Sequence, residues 1–211
     1  MRQRKRSRRS ILWLWGALVL FSVAPLTAQT SEDVTTGVAL FEHGQFTAAQ
    51  QFFAAFNSQY PTDPAGPYYL GRIAFASEQY AQAATWFERA VQLDGGNSDY
   101  HCWLGRTYGQ QAQHAGGEAF FLARKVKTHL EKAVELNPDN IEARFDLMEY
   151  YLQAPDFLGG DAAKAHVQAE EITKRDAAAG RKAWQRCRQK DVSIREKKAT
   201  VPRREHTRSG P

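Results

Sequence analysis

The sequence predicts an all-α fold built from a repeated helix–turn–helix unit, and three observations support this prediction. Apolar and small residues recur at helical spacing, matching positions of successive units are separated by a constant interval, and a turn-forming residue closes each early unit. Residues 131–151, EKAVELNPDNIEARFDLMEYY, contain one junction of this kind, in which Pro138 ends a predicted helix because proline lacks an amide hydrogen. This stretch is therefore predicted to join two copies of the unit.

The repeat is visible when the first two units are aligned so that Gly37 matches Gly71. The pairs that match at the same offset are Phe46 with Tyr80, Ala49 with Ala83, Phe53 with Phe87, and Pro61 with Gly95. A third unit follows at Gly105, and the register continues with extra residues into a fourth unit that contains Leu147 and Tyr151. Glycine is expected where the two helices of a unit cross closely, and stacking of the units would bury their apolar faces.

Three segments, WLGRTYGQQ, FERAVQLD and LEKAVELNPDN, resemble the tetratricopeptide repeat family, whose unit is a helix–turn–helix of about 34 residues. The resemblance covers about residues 30–176. It implies a right-handed α-solenoid of about four repeats, which we place at residues 29–180. Two departures are Gly95 and Ala177, which stand where the family usually has proline.

The resemblance also implies a concave face, formed by the first helices, that binds protein or peptide ligands. The family's groove positions map onto Phe41, Glu42, Tyr68, Arg72, Phe75, Arg106, Gln110, Phe145, Glu149 and Gln153. Arg72 and Arg106 would suit carboxylates of a peptide, and the aromatic residues would anchor its apolar side chains. The alternative is that the arginines pair with helix neighbours such as Glu78 and that Phe75 only packs between repeats.

Two insertions, at residues 112–125 and 154–164, are predicted to interrupt the turns between the first and second helices of adjacent repeats. They should therefore project from the same edge of the solenoid. The contact candidates in these insertions are the apolar residues Phe120, Phe121, Phe157 and Leu158. The alternative is that the two loops pack on each other and have no further role.

Residues 1–28 have the layout of an export signal, with 6 Lys/Arg and no acidic residue before and around an apolar stretch. Cleavage is expected after Ala28, and an uncleaved membrane anchor is the alternative. The segment SRRSIL, at residues 7–12, is also similar to a twin-arginine signal, so either export route fits. The chain is expected to be exported to the periplasm or secreted.

The body of the chain is acidic, with 11 Lys/Arg against 20 Asp/Glu at residues 29–180. Residues 181–211 carry 11 Lys/Arg against 3 acidic residues, so the net charge of +5 reflects the two ends of the chain. A helix to about Arg195 is predicted to cap the last repeat with Trp184 packed against it, and a disordered basic tail is predicted to follow. No nucleic-acid partner is expected, because the folded body is acidic.

The sequence contains no pattern that indicates catalysis or metal binding. The 6 histidines form no HExxH or HxH set, and there is no GxSxG motif. Cys102 and Cys187 form no CxxC motif, and Cys102 is expected to pack as a small apolar residue. We therefore expect no enzyme activity and no cofactor.

These observations lead to the hypothesis of a non-catalytic scaffold or adaptor of the cell envelope. It would bind a protein or peptide through the concave face or the inserted loops. The alternative hypothesis is an envelope-associated protein that binds an anionic membrane or polymer through its basic C-terminal tail. Membrane contact would then involve residues 1–28 or that tail.

Overall fold

The computed structural model describes the backbone of residues 26–200 and, within that range, the side chains of residues 34–193 and 196. This part of the chain forms nine α-helices and contains no β-strand. In chain order they are α1 (Leu26–Glu42), α2 (Phe46–Gln59), α3 (Ala65–Ala76), α4 (Tyr80–Leu93), α5 (Ser98–His114), α6 (Ala119–Leu136), α7 (Ile141–Gln153), α8 (Ala162–Arg175) and α9 (Ala177–Thr200). Two short 3-10 helices lie at Gly116–Glu118 and Asp156–Leu158.

The helices pack in consecutive pairs, α1 with α2, α3 with α4, α5 with α6 and α7 with α8, and α9 packs on α8. The first helices of neighbouring pairs also contact each other, from α1 through α3, α5 and α7 to α9. We call the side formed by these five helices the first-helix face. The predicted all-α helical-repeat fold is therefore confirmed.

Glycine allows the two helices of a pair to approach closely at the predicted positions. A Cβ atom added to Gly71 would lie 2.8 Å from the Cδ1 atom of Phe87, and one added to Gly105 would lie 2.9 Å from the Cγ atom of Leu130. Both distances are shorter than any normal carbon–carbon contact, so larger residues would push the helices apart. Phe87 itself is 0% exposed and packs in the core.

The turn between the helices of a pair uses the same backbone conformation in the first two repeats. Gly44 has a φ of 71°, and Glu78, at the equivalent position of the second repeat, has a φ of 59°. Glycine adopts this left-handed conformation freely, whereas a residue with a Cβ atom is strained in it. Glu78 is therefore part of a turn, and it makes no ion pair with Arg72, the partner that the sequence suggested as an alternative.

Side-chain caps fix the starts of the later helices. Asn97, Asn140 and Asp161 each accept hydrogen bonds from backbone N–H groups in the first turn of α5, α7 and α8, respectively. Asp176 does the same for α9, accepting from Ala178 and Ala179. Each such cap typically contributes about 1 kcal/mol to the stability of the helix.

The first insertion is mostly helical, so the prediction of a loop at residues 112–125 is wrong. It lengthens α5 to 17 residues and α6 to 18 residues, compared with 12 in α3 and 14 in α4. Its alanine, leucine, arginine and lysine residues favour a helix, and Leu122 and Ala123 pack against the core. The second insertion remains irregular at residues 154–161, where proline and two glycines oppose an α-helix.

Helix α9 packs on the fourth repeat and extends further than predicted. The side chains of Ala183 and Cys187 are 0% exposed, and the ring of Trp184 lies 5.3 Å from that of His166, measured between centroids. The helix continues to Thr200, beyond the predicted end at Arg195. Residues 201–211, the end of the predicted tail, lie outside the described range.

The predicted export signal also lies outside the described residues, apart from Leu26–Ala28, which begin α1. Within residues 26–200, no helix combines the length and the apolar character that a bilayer span requires. The two cysteines are free and buried. Cys102 is 1% exposed, as expected for a small apolar residue in the core.

Candidate functional site

All ten groove candidates belong to helices that form the first-helix face, namely α1, α3, α5 and α7. The structure links several of them in a row of aromatic rings and guanidinium groups. The Cζ atom of Arg72 lies 4.8 Å from the ring centroid of Phe41 and 4.2 Å from that of Trp103. The Cζ atom of Arg106 lies 4.4 Å from the ring of Trp103 on its own helix. The row therefore joins the first three repeats by cation–π contacts.

Arg72 forms no ion pair with any residue that the structure describes. Its Nη1 atom donates a hydrogen bond of 3.0 Å to the hydroxyl of Tyr68, and its buried Nε atom has no hydrogen-bond partner among the described residues. Burial raises the pKa of Tyr68, and the charge of Arg72 opposes this effect. Arg72 thus places a positive charge among aromatic rings without a carboxylate from the described part of its own chain.

Arg106 is in a different position electrostatically, because it is already paired with acidic residues of α7. Its Nη2 atom lies 2.7 Å from Oδ2 of Asp146 and 3.2 Å from Oε2 of Glu142. Burial raises the pKa of Asp146, and the charge of Arg106 opposes that shift. Burial by itself would lower the pKa of Arg106, but the same carboxylates help to raise it above its ordinary value. A ligand carboxylate would have to compete with this pair, so Arg106 is the weaker candidate.

In the fourth repeat, Glu149 pairs with α9. Its carboxylate accepts hydrogen bonds from Nε and Nη2 of Arg186, at 2.6 and 2.9 Å, and one of 2.8 Å from Gln153. Burial would raise the pKa of Glu149, but these hydrogen bonds bring it below its ordinary value. Glu149 therefore links α7 to the last helix, and Gln153 supports its carboxylate.

The remaining groove candidates differ in how accessible they are. Phe75 lies between the rings of Tyr80 and Trp103, each 5.3 Å away, so it packs between repeats. Phe145 packs partly buried against the core, Gln110 is partly buried, and Glu42 is exposed. The structure brings together five candidates of the first three repeats, and it ties Glu149 of the fourth repeat to α9. The five are Phe41, Tyr68, Arg72, Phe75 and Arg106.

Sequence reasoning missed Trp103, although this residue contacts both arginines. A signal for it was present, because Trp103 follows Tyr69 at the offset that separates Gly105 from Gly71, and both residues are aromatic. The ring of Tyr69 in turn stacks on that of Phe53, at 4.6 Å between centroids. Aromatic residues at this position of the repeat thus form part of the first-helix face.

A second candidate surface is formed by the two insertions. The rings of Phe120 and Phe157 stack with centroids 6.5 Å apart, and the ring of Phe121 lies 5.5 Å from that of Phe120. Phe120, Phe121 and Phe157 are 41, 67 and 78% exposed, respectively, and Leu158 is partly buried. We call these four residues the insertion edge. The two insertions do pack on each other, and they still leave three aromatic rings in contact with solvent.

One pair of titratable residues lies between α5 and α6. The Nε2 atom of His101 is 3.2 Å from the carbonyl of Gly95, which can only accept, so this nitrogen carries the hydrogen. The Nδ1 atom of His101 must then accept from Nδ1 of His129, 3.0 Å away. Burial, the neighbouring His101 and the charge of Lys125 lower the pKa of His129 to about 4. Within the described residues, no group of three or more His, Cys, Asp or Glu side chains is arranged to hold a metal ion.

Part of the chain matches a known family of repeats. Residues 40–122 match the family model described as "Tetratricopeptide repeat". Superkiller complex protein 3 of Mus musculus is 28% identical over 150 residues, which are 70% of this chain and 9% of that protein. This chain therefore corresponds to a small part of that relative.

Two solved structures show the same fold. A thermophilic tetratricopeptide repeat protein of Thermus thermophilus has a TM-score of 0.59 and 17% identity, over 74% of this chain and 81% of its own. YrrB, described as a tetratricopeptide repeat protein with an unusual peptide-binding site, has a TM-score of 0.56 and 18% identity, over 81% of this chain and 89% of its own. At these identities the likeness concerns the fold alone.

Proposed function

We propose that this chain, whose residues 40–122 match the tetratricopeptide repeat family model, is a non-catalytic scaffold or adaptor of the cell envelope. It binds a segment of another protein on the first-helix face. The observation that carries the proposal is Arg72, a guanidinium group that lies among aromatic rings with no ion pair to any described residue. An acidic and apolar peptide would supply the carboxylate that Arg72 lacks and would cover the rings beside it.

The fold supports this proposal by analogy only, since many unrelated functions occur on one fold. The description of YrrB mentions a peptide-binding site, which is consistent with a peptide partner here. The specific support comes from the difference between the two arginines of the face. Arg106 is neutralised by α7, whereas Arg72 is not, so the partner's acidic residue is expected at Arg72.

In-cell crosslinking tests the proposal. A photo-crosslinking residue at Gln110, on the first-helix face, should capture a discrete protein, whereas the same residue at the exposed Gln92 of α4 should not. The combined change Tyr68→Ala and Arg72→Glu should reduce capture at Gln110 by about tenfold or more, since a truncated aromatic anchor and a reversed charge both act against binding. Arg89→Glu on α4 is the matched charge-reversal control.

Two outcomes of this experiment would count against the proposal. Equal capture at Gln110 and Gln92 would mean that the contact is not specific to the first-helix face. Undiminished capture by the folded Tyr68→Ala/Arg72→Glu protein, with folding checked by circular dichroism, would mean that Arg72 is not the contact. Mass spectrometry of the captured chain also tests export, because an exported and cleaved chain would begin at Gln29 and an anchored one would retain residues 1–28.

A second candidate function is the binding of an anionic membrane or polymer by the basic C-terminus. It is favoured by Arg181, Lys182 and Arg188, which are exposed on α9 and form no ion pair with described residues. Binding of this kind should weaken steeply as salt is added, and it should fall strongly when residues 196–211, which carry five further Lys/Arg, are deleted. Binding on the first-helix face should survive the same deletion.

A further inference from the structure

The insertion edge is held rigidly, although three of its side chains face solvent. The hydroxyl of Tyr150 donates a hydrogen bond of 2.8 Å to the carbonyl of Leu158, and the amide of Asp161 donates one of 2.9 Å to the carbonyl of Tyr151. Phe120 and Phe121 belong to the first turn of α6. The exposed rings are therefore displayed by fixed elements, and binding of a partner would cost little conformational entropy in ordering them.

The edge borders an open trough of about 460 Å³. Its apolar side is formed by Phe120, Phe157 and Leu158, and its polar side includes Arg124 and Asp156. A trough of this size is too small for a folded domain to enter, but it can hold one bulky side chain with its neighbours. The exposed rings of Phe121 and Phe157 extend the apolar surface beyond it.

Charge around the trough is balanced. Glu131 accepts a hydrogen bond from the hydroxyl of Tyr151 and has Lys127 3.9 Å away, so its charge is already compensated. Arg124 and Asp156 then remain as one positive and one negative side chain, and neither forms an ion pair with another described residue. A surface without net charge gives no net electrostatic attraction to an anionic membrane or polymer.

The area of the edge also limits what can bind there. The exposed parts of the three phenylalanines amount to roughly 370 Å², taking about 200 Å² for each side chain. A stable interface between two folded proteins buries about 800 Å² on each partner. The edge offers less than half of that area, so it is too small to hold a second copy of this chain by itself.

We propose that the insertion edge is a second docking site, which binds a short apolar segment of a partner protein and seats one bulky side chain in the trough, against Phe120, Phe157 and Leu158. The site is separate from the first-helix face, and it does not depend on Arg72. Its rings would provide the apolar contact area, and Arg124 and Asp156 would bind polar backbone or side-chain groups of the segment.

Selection from a phage-displayed library of random dodecapeptides tests this proposal with the full chain. Peptides are enriched on the wild-type protein, and each enriched peptide is then tested against the double variant Phe121→Ser/Phe157→Ser. Enriched peptides are expected to be rich in apolar residues. Their affinity, measured with synthetic peptides by fluorescence anisotropy, should fall about tenfold or more in the double variant.

Two controls distinguish the insertion edge from the rest of the protein surface. Val167→Ser with Val192→Ser removes apolar side chains that are 54 and 52% exposed elsewhere, and it should leave the affinity unchanged. Tyr68→Ala with Arg72→Glu should also leave the peptide affinity unchanged. The docking site at the insertion edge can therefore be tested even if the proposed binding on the first-helix face is wrong. Phe121 and Phe157 are exposed, and their replacement should not alter the circular dichroism spectrum.

Four results would overturn the proposal. The first is a failure to enrich any peptide, and the second is the enrichment of peptides that bind the double variant equally well. The third is a dimer in analytical ultracentrifugation that the double variant loses, because a second copy would then occupy the edge. The fourth is flotation with phosphatidylcholine–phosphatidylglycerol vesicles that the double variant loses, because the occupant would then be lipid.

Discussion

The histidine pair between α5 and α6 predicts that acid destabilises the fold, chiefly through His129. His129 has a pKa of about 4 in the folded protein, against an ordinary value of 6.5. The unfolded chain therefore takes up a proton on this residue as the pH falls below 6.5, and the folded chain does not until about pH 4. The free energy of unfolding is therefore unaffected by this residue above pH 6.5, and it decreases as the pH falls from 6.5 towards 4.

The structure also sets the size of this effect. Each pKa unit corresponds to about 1.4 kcal/mol, so between pH 7 and pH 5 the full shift would cost about 2 kcal/mol. His129 is partly exposed and solvent screens its interactions, so we expect a loss of about 1–2 kcal/mol. The replacement His129→Gln keeps a side-chain N–H that can donate to Nδ1 of His101, but it cannot titrate.

Urea denaturation followed by circular dichroism at pH 7 and pH 5 measures the effect. The free energy of unfolding should fall by about 1–2 kcal/mol more in the wild type than in His129→Gln. His43→Gln, at an exposed position in the turn between α1 and α2, is the matched control and should behave as the wild type. An equal loss in the wild type and in His129→Gln would refute the reasoning.

Two further predictions concern the stability of the repeats. Phe87→Ala should lower the free energy of unfolding by about 3–5 kcal/mol, because the side chain is fully buried between helices. Phe157→Ala, at a 78% exposed position, should change it by less than about 0.5 kcal/mol. Urea denaturation compares the two variants, and similar losses would contradict the packing described. Glu78→Gly should raise the free energy of unfolding by about 0.5–1 kcal/mol, because glycine adopts the left-handed backbone conformation without strain. Gly44→Glu should lower the free energy of unfolding by a similar amount. Thermal denaturation checks both signs, and a destabilised Glu78→Gly variant would contradict the strain argument.

The fold could be predicted because the same position of successive units requires a side chain of the same size. Gly71 and Gly105 lie where a Cβ atom would collide with the second helix, so the spacing of glycine reports the helix crossing directly. The insertions were harder to interpret. A pair of glycines suggested a loop at residues 112–125, but helix propensity and the packing of Leu122 kept most of that segment α-helical.

The same position of successive first helices contacts the next first helix, and this contact decides which candidate residues are free to bind. Arg72 contacts Trp103, Arg106 contacts Asp146 and Glu149 contacts Arg186, in each case a residue on the next first helix. Trp103 and Asp146 occupy matching positions of the third and fourth repeats, since each directly precedes the leucine of its repeat, Leu104 or Leu147. An aromatic ring at that position leaves its arginine without a carboxylate, and an aspartate neutralises it.

The sequence by itself determined the repeat and the pairing of helices. These features follow from spacing and side-chain size, which act within a unit or between identical positions of neighbouring units. Only the tertiary structure decided that Arg72 has no ion pair with any described residue, that Arg106 is neutralised, and that Phe120 meets Phe157. The physical reason is that each of these contacts joins residues from different repeats, and its energy depends on distance and burial, which the linear order of residues does not specify.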